Sequence, residues 1–203
     1  MRNPAFAAPA SSVIKMRYST NVILNDAVTG FDKHVFRGAS IFDPDFTGVG
    51  HQPLAHDQWA ALYQRYRVLS TRIIVDFANV EAPNETVTNC ANFFISALEG
   101  STGFSNPDTY CEQPYMVRSG QHFSLGDSRK RLSMNIKTAQ FEGDTGALFD
   151  KDYSAPFGSN PTRDWFYHIG AYSGDGSTTV AAQALVLLEY TVKMYDRVDL
   201  SNS

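Results

Sequence analysis

From Leu69 onward the chain alternates strictly. Leu69, Thr71, Ile73, Val75 and Phe77 fall on one face, and Ser70, Arg72, Ile74 and Asp76 on the other. A strand with one apolar face has to lay that face against a second layer. The same signal recurs. Ile14, Met16 and Tyr18 alternate with Lys15 and Arg17 in a strand expected over 13–24, and Leu132, Met134 and Ile136 alternate with Ser133, Asn135 and Lys137 in one over 131–138. Further strands are expected over 34–41, 68–80, 92–98, 165–172 and 179–198, with a short one over 110–117 that Pro114 confines to an edge. In the last strand Val186, Leu187 and Leu188 put apolar groups on both faces, as in a strand covered on both sides. Eight strands without βαβ alternation or an internal repeat point to a two-sheet antiparallel sandwich or barrel.

Between the strands over 34–41 and 68–80 the hydrophobic period changes. Asp43-Pro44-Asp45 and Gly48-Val49-Gly50 are turn formers. Asp57 is expected to cap a short helix whose Trp59, Leu62, Tyr63 and Tyr66 recur at i, i+3, i+4 and i+7, with Trp59 anchoring it to the sandwich. Residues 141–162, rich in Gly, Asp and Pro, read as one long loop, and Gly174-Asp175-Gly176-Ser177 as a turn. Residues 1–12 read as a flexible lead-in and 13–203 as one domain.

No catalytic or metal-binding pattern emerges. G-x-S-x-G, P-loop and dinucleotide fingerprints are missing, and the reading is of a protein without enzymatic turnover. Asp43, Asp45 and Gly48 occupy positions 1, 3 and 6 of a calcium-loop spacing, but position 12 is Leu54, so a turn is the better reading. His51 and His56 lack the i, i+4 spacing of a helical ligand pair. Cys90 and Cys111 read as two thiols in a reducing compartment, and no metal or cofactor is expected. Asn84-Glu85-Thr86 reads as a chance match to a glycosylation signal. No apolar run reaches about 18 residues, so no membrane span is expected.

The formal net charge of −4 is unevenly spread. Residues 1–25 carry Arg2, Lys15 and Arg17 with no acid, whereas residues 142–203 carry nine acids against four bases. Asp127 is the only acid between Arg118 and Lys137. Lys15 and Arg17 share one strand face, Arg129, Lys130 and Arg131 form a second patch, and Arg65, Arg67 and Arg72 flank the helix-strand junction. Lys15, Arg17, Arg129, Lys130 and Arg131 are therefore the candidate nucleic-acid contacts.

The run Asp43-Pro44-Asp45, Gly48, Gly50-His51-Gln52-Pro53, Asp57-Gln58-Trp59, Leu62-Tyr63, Arg65-Tyr66 resembles the front half of capsid proteins from circovirus-like single-stranded DNA viruses. That resemblance implies a single jelly roll, two packed four-stranded antiparallel sheets with one short helix between early strands. It also implies self-assembly into an icosahedral shell of sixty copies around a circular DNA genome, in a virion assembled in the host nucleus. Asp43, Asp45, Phe46, His51, Tyr153 and Phe157, on loops rich in turn residues and aromatics, are the expected subunit contacts. Such proteins begin with a long Arg- and Lys-rich arm that packages the genome and directs the protein to the nucleus. Here three basic residues precede Asp26, so DNA binding is expected to be weak. A capsid of a small RNA virus or satellite shares these features. A β-sandwich carbohydrate- or ligand-binding module is the alternative from another class.

Overall fold

The computed structural model describes residues 9–26, 30–80, 90–123, 128–144, 146, 149–174 and 180–198. The Asn84 sequon, Asp127, most of the turn after Gly174 and most of the lead-in lie outside them. Ten strands form two sheets among these residues: β1 (Ser11–Asp26), β2 (Phe31–Arg37), β3 (Tyr63–Asn79), β4 (Cys90–Leu98), β5 (Met116–Arg118), β6 (His122–Phe123), β7 (Arg129–Lys137), β8 (Ser154–Pro156), β9 (Phe166–Ser173) and β10 (Val180–Arg197). Short helices α1 (His56–Ala60), α2 (Pro107–Cys111) and α3 (Thr138–Phe141) occupy the connections. None of them is long and apolar enough to cross a membrane.

One sheet has the order β1-β10-β3-β7 and the other β2-β9-β4-β5, and every pairing is antiparallel. β8 pairs with β3 at 65–67, beyond the end of β7, and β6 pairs with β4 beyond the end of β5. Each sheet is thus four strands wide, with one edge position split in two. The pairing is nested: first strand with last, second with next to last, third with seventh and eighth, fourth with fifth and sixth. An antiparallel ribbon rolled up in this way is a jelly roll.

The core lies between the sheets. Phe77 of β3 and Phe93 of β4 stack across the gap, centroids 4.7 Å apart and rings within 7° of parallel. Two buried tyrosines satisfy their hydroxyls on backbone: Tyr167 donates to the Thr71 carbonyl (2.6 Å) and Tyr190 to that of Arg37 (2.9 Å). Trp165 is fully buried, packed on Phe141 and Tyr167. Gly38 passes beneath it so closely that a Cβ there would enter the indole ring.

Several local expectations fail for reasons of long-range pairing. The helical spacing around Trp59 yields only the five residues of α1, because β10 pairs with β3 as far as Tyr63, so Tyr63 and Tyr66 join the sheet. Asp57 lies inside α1, and the cap is Ala55 in a left-handed conformation (φ 68) without a side-chain bond. Trp59, half-buried, does pack against the core as the expected anchor, its ring centroid 6.1 Å from that of Tyr63. A bulge at Leu69 shifts the phase of β3: Val68 faces the core, Leu69 does not, and burial resumes at Thr71, Ile73, Val75 and Phe77. Tyr110 belongs to α2, whose cap Asn106 accepts from the Asp108 amide, and the strand begins only at Met116. The long loop contains a 3-10 turn (Lys151–Tyr153) and β8, which covers the part of β3 that β7 leaves open. In β10, Val186 and Leu188 are buried but Leu185 is 54% exposed, so its outer face is not covered by the described residues.

The Asp43–Gly50 loop folds back on the edge strand β2. The Arg37 amide donates to the Pro44 carbonyl (2.8 Å) and the Phe46 amide to that of Val35 (3.1 Å). Asp45 organises this turn. Its buried carboxylate accepts from His34 Nε2 (3.0 Å), from the Thr47 amide (3.0 Å) and from the Thr47 hydroxyl (2.7 Å). Burial pushes the Asp45 carboxyl up, but the bonds from His34 and Thr47 outweigh it and hold the group below its ordinary 3.8. A carboxyl depressed on folding stabilises above its unfolded value and loses that contribution as the pH falls through the folded one. Asp45→Ala is expected to cost about 2 to 3 kcal/mol at pH 7. The gap between wild-type and variant thermal melts should narrow below about pH 4.

Candidate nucleic-acid interface

Alternation along four paired strands sends one set of side chains into the core and the other onto an outer face. On the β1-β10-β3-β7 sheet that outer face is crossed by rows set by the register. Arg17, Glu189, Arg72 and Asn135 form one row, and Lys15, Thr191, Ser70 and Lys137 the next. Asn21, Leu185, Asp76 and Arg131 lie to one side; Val13, Lys193 and Arg67 lie to the other. Ile23, Gln183, Ala78 and Arg129 close one end, and Ser11, Tyr195 and Arg65 the other. Between these limits stand nine cations, namely Lys15, Arg17, Arg65, Arg67, Arg72, Arg129, Arg131, Lys137 and Lys193, out of seventeen in the chain. Among the described residues of these rows only Asp76 and Glu189 oppose them, in a chain of twenty-one acids. A chain of net charge −4 has segregated its positive charge onto one sheet face.

The two acids neutralise the cations unevenly. Glu189 accepts from Arg17 at 2.8 Å and lies 3.9 Å from Arg72. Asp76 takes a two-pronged contact from Arg131, at 2.6 and 2.7 Å. The Arg131 hydrogen bonds hold the Asp76 carboxyl below its ordinary range. Among the described residues no carboxylate pairs with Lys15, Lys137, Lys193 or Arg129. Exposed ion pairs contribute little to stability, so a phosphate can compete for the paired guanidinium groups as well.

The structure brings Lys15 and Arg17 onto the same face as Arg129 and Arg131, on opposite edge strands and displaced along them, with Arg17 and Arg131 about 19 Å apart across three strand spacings and four residues of rise. Lys130 has the opposite parity and stands exposed at the rim. Arg72 shares the row of Arg17, Lys137 stands across the sheet from Lys15, and Lys193 lies one row beyond Lys15, away from Arg129. The alternation of Lys137 with Ile136, and of Arg72 with Ile73, marked their face in the sequence, but only the register makes them neighbours of Lys15 and Arg17.

The expected subunit contacts separate into two groups. Asp43 is half-exposed, Phe46 is 40% exposed, and His51 is exposed beside Tyr18 with ring nitrogens 2.8 and 3.1 Å from the Gln52 and Ser19 carbonyls. Arg37 lies over the Phe46 ring, and Phe166 meets its edge. Asp45, Tyr153 and Phe157 are buried in the protomer itself. The Asp45 carboxylate is committed to His34 and Thr47, Tyr153 lies under Arg163, and Phe157 packs on Tyr66 and His56. Their side chains hold the loops in shape within the protomer.

No protein-family model matches the chain, and no curated protein matches it. Solved structures similar to it include the decameric BFDV capsid protein, 10% identical, with 92% of this chain and 99% of that one covered and a TM-score of 0.48. Cocksfoot mottle virus gives 12% identity over 93% of this chain and 95% of that one, with a TM-score of 0.47. Turnip yellow mosaic virus gives 9% over 100% and 90%, with a TM-score of 0.45. Similarities this distant carry no function across.

Glu189 is the residue that most reduces the positive potential at the centre of the face. Glu189→Gln is expected to tighten binding of a fluorescent single-stranded oligonucleotide by about three- to tenfold at low salt, read by anisotropy. The thermal melt should move little, since the pair it breaks is on the surface.

Proposed function

We propose that this chain is a viral capsid protein, a jelly-roll subunit that self-assembles into an icosahedral shell with the outer face of the β1-β10-β3-β7 sheet turned toward the genome. The observation that carries this reading is the segregation of nine cations and two acids on that single face of an acidic chain. A carbohydrate-binding module has no use for such a face, whereas a subunit that must lie against a polyanion does. Nested jelly-roll topology and the resemblance of residues 43–66 to circovirus-like capsid proteins support the same reading. They extend it to a sixty-copy shell around circular single-stranded DNA. In this reading Asp43, Phe46 and His51 supply contacts to neighbouring copies, and the role of the protein lies in geometry and repeated contact.

The face binds phosphates, so its grip follows salt. With four to six cations engaged per subunit, the logarithm of affinity for single-stranded DNA should fall against the logarithm of salt with a slope of about −3 to −4. Electron microscopy of the purified protein should show closed particles whose nucleic acid is lost at moderate salt. Digesting the extracted load with DNase or RNase then decides the genome type. A protein that stays monomeric at every salt concentration and binds no single strand overturns the reading.

A further inference from the structure

At the end of the cationic face the 149–154 segment folds over β3 and β10, leaving an open cleft of about 490 Å3. Four of the residues lining it are cations: Arg65 and Arg67 from β3, Lys193 from β10, and Lys151 from the covering segment. Two are aromatic. Phe149 is 81% exposed, and Tyr195 presents its ring with the Arg67 guanidinium 5.9 Å from the centroid. Asp196 is the one carboxylate among the lining residues, exposed at the rim in a left-handed conformation (φ 55).

The cations here are held differently from those at the centre of the face. Arg65 donates through Nε to the Ser154 hydroxyl and through Nη2 to the Ser154 carbonyl, each at 3.1 Å. Arg67 Nη2 donates to the Asp150 carbonyl at 2.6 Å. The Ser154 hydroxyl in turn bonds the Tyr195 hydroxyl, which fixes the ring. Uncharged partners orient Arg65 without cancelling its charge. Among the described residues no carboxylate pairs with Arg65, Lys151 or Lys193, in contrast to Arg17, Arg72 and Arg131. Fixed positive charge beside an exposed ring is the combination that binds unpaired nucleotides, through phosphate and base face together.

We propose that this cleft holds one nucleotide of a single-stranded nucleic acid, its phosphate against Arg65, Lys151 and Lys193 and its base against Phe149 and Tyr195. The proposal rests on the reading of the sheet face as the strand-binding surface, and it adds a fixed point to an otherwise diffuse electrostatic contact. It requires no particular base, because every base offers a stacking face.

The test uses the full chain and a fluorescent oligothymidylate of about twelve nucleotides, with polyphosphate as a competitor that has charge but no bases. Phe149→Ala should weaken the oligonucleotide about five- to tenfold and leave polyphosphate unchanged. Lys151→Gln combined with Lys193→Gln should weaken both, and Asp196→Asn should tighten both while suiting the left-handed backbone. All these positions are at the surface, so melts should stay at the wild-type value and confirm folding. An oligonucleotide affinity within about twofold of wild type for Phe149→Ala, or an equal loss for both ligands, overturns the nucleotide cleft. If Arg129→Gln and Lys137→Gln weaken binding while the cleft variants do not, the cleft fails and the strand-binding face stands. If none of them does, the reading of the whole face fails.

Discussion

The structure depends on the antiparallel ladder between β3 and β10 at the centre of the sheet with the longer strands. It runs from the Ala182 pairing with Asn79 to that of Arg197 with Tyr63. Pairing over that length aligns the phases of both strands. On one side Val75, Phe77, Val186 and Leu188 meet the opposing sheet, and on the other Arg72, Glu189, Asp76 and Lys193 are left for solvent or a partner. Core and cationic face are therefore two readouts of one register. A slip by one residue would exchange them.

Long-range pairing also explains which parts of the molecule were legible in the sequence. Strict alternation located the central strands, and the absence of βαβ alternation pointed to a sandwich. The ends of strands were less visible, because they are set by the partner. Tyr63 and Tyr66 have helical spacing, yet β10 recruits them. The bulge at Leu69 leaves no mark in a sequence whose residues 66, 68, 71 and 73 are all aromatic, β-branched or apolar. Burial decided the loop residues in the same way. Tyr153 and Phe157 looked like contact residues because they lie among turn formers, but the short strand β8 carries them into the core.

The cationic face was visible only in fragments. Lys15 with Arg17 and the Arg129 cluster each read as a local patch, more than a hundred positions apart in the chain. Nothing local announced that the sheet would place them on one surface, or that Arg72 would fall between them. Nor did the sequence reveal which cations carry their charge outward. Glu189 and Asp76 are single residues on two central strands, and cross-strand neighbours alone determine that they quiet Arg17, Arg72 and Arg131 while leaving the cleft end untouched.

The bulge at Leu69 has a consequence for how such a chain can vary over generations. Point changes on the outer face leave the core untouched, so the surface charge can be retuned freely, one position at a time, as the enclosed polyanion changes. Gains of single residues within β3 are another matter. A further residue there would turn either Tyr66 and Val68 or Thr71 and Ile73 outward, whereas losing the bulged Leu69 would leave both sets in place, since Val68 and Ser70 already pair with the adjacent Val192 and Thr191. Lineages carrying this fold should therefore diverge by substitution in their strands and keep gains of length for the loops.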